Sequence, residues 1–68
     1  MRLQHLAEAE RHVADGERHV RKQQKIVAKI EQRGDDPVRS KQLLAIFEQL
    51  QARHVADRDR LAREVSAA

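Results

Sequence analysis

Along the first half of the chain, large apolar residues fall at Leu3, Leu6, Val13, Val20, Ile26, Val27 and Ile30. With Leu6 as position a of a heptad, Val13, Val20 and Val27 are also a, while Ala9, Gly16, Gln23 and Ile30 are d. Steps of three and four place these residues on one side of a helix, and about four heptads of them make a coiled-coil-like seam. Residues 3–33 contain no proline and a single glycine, and Ala, Leu, Glu, Gln, Lys and Arg dominate. All six favour helix. The pattern predicts one long helix over about 3–33.

The seam stops at RGDDPV, residues 33–38. Gly34 suits the left-handed position just past a helix end. Asp36 suits an N-cap, and Pro37 the first helical position, where no backbone donor is required. A second helix is predicted over about 37–65, with an apolar stripe of Leu43, Phe47, Leu50, His54 and Leu61 flanked by Leu44, Ile46 and Val65. So short a break folds the second helix back antiparallel to the first. The expected fold is all-α, one helical-hairpin domain over 1–68, with arms ~45 Å long at 1.5 Å per residue.

The stripe widens near the turn. Ile26, Val27 and Ile30 stand on one arm, and Leu43, Leu44, Ile46, Phe47 and Leu50 on the other. One facing helix cannot cover so wide an arc. The expectation is self-association, most simply two hairpins forming a four-helix bundle.

Composition strengthens that expectation. Of 68 residues 40% are hydrophobic, but ten are alanines, and Phe47 is the single Phe, Tyr or Trp. A chain this short buries only ~60% of its unfolded surface, so a metal, a disulfide or a partner chain is anticipated. The absence of cysteine removes the disulfide. The apolar stretch Leu43 to Phe47 is far too short to cross a bilayer, and MRLQHLAEAE has no signal-like apolar run. A cytoplasmic setting without membrane contact is expected. Charged residues reach 37% with both signs interspersed, for a net charge of +3. Nucleic-acid binders are usually more lopsided.

His5, His12 and His19 recur every seven residues. One heptad advances ~10.5 Å, too far for neighbours to share a zinc held at ~2.1 Å. A metal site would have to join histidines from different helices, and no metal or cofactor is assigned. In heptad terms the three are g, the flank of the seam. Glu8 and Asp15 stand four residues before His12 and His19 and favour their protonated forms slightly. His54 lies on the second stripe. A turn centred near Asp36 sets it opposite Arg18 and His19, so a His19–His54 contact is expected, one that loosens roughly below pH 6.5; a neutral, hydrogen-bonded His54 is the plainer reading. Gly16 at d is either a receptor for a large side chain or a tolerated surface glycine. Gln23 at d either sets register at some cost in stability or marks fraying.

Arg11, Arg18, Lys22, Lys25 and Lys29 form a basic stripe away from the seam, with Arg21 and Arg33 beside it. Such a stripe meets phosphates, an acidic protein, or only water. No aromatic is placed for base stacking. Catalysis has little support. Ser40 and Ser66 are the only serines, neither lies in a G-x-S-x-G context, and no phosphate loop is present.

HLAEAERHVADGERHV and LLAIFEQLQARHVADRDRL together resemble a family of short helical proteins of alpha-proteobacteria that share HLAEAERHV-like, FE-x-L-Q-x-x-H and RDRL-like segments. The resemblance spans nearly the whole chain. It implies a free-standing small bacterial protein and brings no activity and no functional residues.

The sequence thus reads as a non-enzymatic interaction and self-association module, with a second copy or another helical protein as partner. Leu6, Val13, Gly16, Val20, Val27, Ile30, Leu43, Phe47, Leu50, His54 and Leu61 are its candidate core and interface. The alternative is a nucleic-acid-associated protein using Arg18, Lys22, Lys25 and Lys29. An inter-helix histidine metal site comes third.

Overall fold

The computed structural model describes residues 2–67; residues 1 and 68, at the ends of the expected domain, lie outside the described residues. Helix α1 spans Arg2–Gln32 and α2 spans Val38–Ala67. They pack antiparallel as one hairpin with extents of 53 × 14 × 13 Å, and the described residues contain no strand. Each boundary falls within two residues of its expected position, as helix ends commonly do.

Local chemistry stops and restarts the helix. Gly34 has φ 77°, the left-handed conformation that glycine adopts without a Cβ penalty. Its N–H donates to the carbonyl of Glu31, and the Asp35 N–H donates to that of Ile30. This paired pattern is a Schellman motif, which satisfies carbonyls left open at the end of α1. Asp36 Oδ1 then accepts from the Val38 N–H at 3.1 Å and caps α2.

Leu6, Ala9, Val13, Gly16, Val20, Gln23, Val27 and Ile30 are buried or half-buried, and every other described α1 side chain is exposed. These are the a and d positions of the heptad. On α2 the inward line is Ser40, Leu44, Phe47, Gln51, His54, Arg58, Leu61 and Val65, again in alternating steps of three and four. Leu43 and Leu50, expected on this stripe, are exposed instead. Each precedes an inward residue by one position, about 100° around the helix. At Leu50 the inward place goes to polar Gln51, held there by a hydrogen bond to α1.

The register also departs from expectation. His54 faces His12, with ring centroids 5.5 Å apart, and His19 lies against Phe47 at 6.0 Å. In both pairs the residue numbers total 66, so the effective centre of the turn is near residue 33 and not Asp36. The cause lies in residues 35–37, which belong to neither helix. Proline biases the preceding Asp36 toward extended backbone. Extended residues advance ~3.3 Å each against 1.5 Å in a helix. The non-helical residues after Gly34 thus carry the chain back along α1 before α2 begins, where Pro37 already accepts a helical bond from the Lys41 N–H. His54 therefore meets the histidine one heptad earlier than a symmetric turn predicts.

Candidate interaction surface

Two glutamines fix the seam. Gln23 is 94% buried, and its Nε2 donates to the carbonyl of Ser40 at 3.0 Å. Gln51 Nε2 donates to the carbonyl of Val13 at 2.9 Å, reaching across Gly16. A Cβ at Gly16 would occupy the same space as Gln51 Oε1. Gly16 is thus the receptor for a side chain from the opposite arm. Gln51 and Arg58 went unrecognised in the sequence because both are polar. The signal for them was the step of seven through Phe47, His54 and Leu61, whose intervening inward positions are 51 and 58.

The seam leaves two long sides. On one, His5, His12, His19 and Ile26 of α1 run beside Leu43, Leu50 and Asp57 of α2, and Ile46 shares that face with Leu43 and Leu50 by its three- and four-residue spacing. Two shallow depressions lie along this histidine side. The one nearer the turn is lined by His19, Lys22, Gln23, Ile26, Leu43 and Phe47. The other is lined by His5, Glu8, Ala9, His12, Asp57, Arg60 and Leu61. The opposite side is a groove of small residues, Val20, Ala52, Val55 and Ala56, edged by Glu17, Arg21, Gln24 and Glu48.

Large apolar side chains stay exposed on the histidine side: Ile26 at 37%, Leu43 at 42%, Leu50 at 43% and Ile46 at 52%. They cluster in the half nearest the turn. The buried positions Ala9, Val13, Gln23, Val27 and Leu61 all keep some exposure, from 3% at Ala9 to 8% at Leu61. Leu6, Val20, Ile30, Phe47 and His54 are half-buried. The hairpin therefore encloses little of its apolar content.

Charge is arranged mainly within each arm. Arg18 pairs with Asp15, and Arg21 with Glu17 at 3.2 Å. Lys41 reaches Glu31 across the turn end at 3.4 Å. Arg60 donates to Asp57 at 2.6 Å and to Glu64 at 3.0 Å. The Asp57 hydrogen bond, then the Glu64 charge, hold the exposed Arg60 guanidinium above its usual pKa. Lys22, Lys25 and Lys29 are exposed. Of the basic stripe, Arg18 already spends its charge on a neighbour, as surface pairs of modest strength do.

The four histidines are not assembled as one group. His12 and His54 come together from different arms, while His5 and His19 stand a heptad away on either side of His12. Among the described residues, no three His, Cys, Asp or Glu side chains converge as metal ligands. Nor is any helix there long and apolar enough to cross a membrane. Ser40 is half-buried with its carbonyl engaged by Gln23, and Ser66 is exposed near the end of α2, so the two serines stand at opposite ends of that helix.

No family model, no curated protein and no solved structure matches this chain.

Proposed function

We propose that this chain is a small non-enzymatic interaction module that self-associates by packing one side of a helical hairpin against another helical surface. The observation that carries the reading is the band of Ile26, Leu43, Ile46 and Leu50, exposed together on the histidine side. Scattered exposed apolar residues need no explanation, but a contiguous band marks an association surface. The surface area agrees. A compact monomer of 7.9 kDa exposes about 4,400 Å² by the usual scaling, whereas this hairpin exposes 5397 Å². Its slender shape leaves surface that association is well placed to remove.

A non-enzymatic role is supported by the open form of both sides, which offer shallow grooves where chemistry usually uses a concave, water-excluding site. The test is sedimentation velocity from low to high micromolar concentration. Association should appear as a rising weight-average mass. A monomer throughout that range contradicts the proposal.

A further inference from the structure

We infer that the histidine side is where two copies of this chain meet, about a two-fold axis parallel to the helices, with both turns at the same end. This rests on the self-association reading above and adds the face and its alignment.

The position of the apolar band sets the alignment. The His12–His54 and His19–Phe47 pairs put Leu50 at the height of Gly16, Ile46 at that of Val20 and Leu43 at that of Gln23, with Ile26 one turn beyond. A parallel two-fold lays this whole band on its own copy. An antiparallel overlay of the complete faces also opposes unlike charges, Asp15 with Lys22 of the second copy. However, it sets Ile26 and Leu43 against the His12 and Arg53 region. Sliding antiparallel copies until the bands coincide shortens the contact and brings the two Lys22 side chains together.

Charge at the edges fits the parallel overlay. There α1 lies over α2 of the second copy. Glu8 then comes beside Arg60 but also beside Asp57, and Asp15 beside Arg53, each twice and within two residues of equal height, ~3 Å; Arg60 and Asp15 share these contacts with their in-arm partners Asp57, Glu64 and Arg18. Glu8, Asp15, Arg53 and Arg60 are exposed. Lys22 comes over Ile46, which its methylene stem covers while the ammonium stays in water. A like-charged approach, Lys29 with Arg39 of the second copy, falls at the solvent-exposed rim beside the turn.

Area points the same way. A specific interface buries ~800 Å² per partner. A face whose backbone measures 53 by 14 Å matches that only along its full length. A closed two-fold contact is also the commonest oligomer geometry.

The test combines a spin label on Asp35→Cys, a unique cysteine in this sequence, with sedimentation of the unlabelled chain and three variants. The expected result is a dimer whose turn labels lie within about 20 Å, two interhelical spacings. Ile46→Lys, which sets a like charge under Lys22 of the second copy, and Leu50→Glu should each weaken the dimer at least ~tenfold while keeping helical content, because both positions are exposed in the hairpin. Gln49→Glu, off this side, should leave it intact. Three outcomes overturn the inference and leave self-association standing. They are turn labels near the 53 Å molecular length, a dimer indifferent to both substitutions, and open-ended growth, in which the band docks into the small-residue groove of the next copy. A chain that remains monomeric to high micromolar concentration overturns both.

Discussion

The side-chain amide of Gln51 lies over Gly16, filling the space that a methyl group there would take, and donates to the Val13 carbonyl beyond it. Glycine inside a helix costs ~1 kcal/mol relative to alanine, and a net intramolecular hydrogen bond contributes a similar amount. The two effects oppose each other at this site. Gly16→Ala should therefore change stability little in the native sequence, because the gain in helix propensity is offset by displacing Gln51. In a Gln51→Ala background the same change should stabilise by about 1 kcal/mol. Urea denaturation of the four proteins reads the coupling directly. Equal stabilisation in both backgrounds would mean Gln51 does not occupy this place.

Gln23 is the buried polar member of the seam, with its amide on the Ser40 carbonyl. Gln23→Ala removes that hydrogen bond and opens space between the arms, and should cost about 1–2 kcal/mol. Gln24, one position on, is exposed, and Gln24→Ala should stay within about 0.5 kcal/mol of the parent. Similar small losses for both would contradict the placement of Gln23.

The turn depends on two residues for different reasons. Gly34→Ala forces a Cβ into the left-handed region at φ 77° and should cost about 1 kcal/mol. Asp36→Ala removes the cap on the Val38 N–H and should cost a similar ~1 kcal/mol. The sites lie two residues apart in one turn and are coupled through its backbone, so the double variant should lose less than the sum. Thermal unfolding checks this, and a harmless Gly34→Ala would contradict the Schellman geometry.

The a positions of the first helix were legible, because Val13, Val20 and Val27 repeat every seven positions, whereas the packing of Gly16 and Gln23 at d was left open. The turn was legible too, since Gly34, Asp36 and Pro37 each have one preferred place at a helix boundary. The second helix was legible in part. Leu43 yields its place to Leu44, and Leu50, which outranks Gln51 on hydropathy, yields to that glutamine, while Arg58 takes a further inward place. The glutamine fits over Gly16, and the half-buried arginine donates to the adjacent Asp59. Those contacts lie between residues far apart in sequence, or in the geometry of a packed arm, so no local pattern carries them. Register was lost for a simpler reason. Counting residues across the turn treats every residue as equal in length, and non-helical residues there advance about twice as far as helical ones. A shift of one heptad followed, and because His5, His12 and His19 recur every seven residues, His54 still met a histidine.

The same accounting recasts the exposed leucines. Hydropathy marked Leu43 and Leu50 as members of a stripe, and the hairpin leaves both in solvent beside Ile26 and Ile46. The width of the stripe near the turn, which one facing helix cannot cover, is the feature on which the self-association proposal depends.

The most direct test of that central claim is the concentration dependence of thermal unfolding, followed by circular dichroism from low to high micromolar chain. Association that stabilises the native state makes the melting temperature rise with protein concentration. A rise of several degrees across that range, reduced in Leu50→Glu, is the predicted result. A melting temperature independent of concentration would contradict the account.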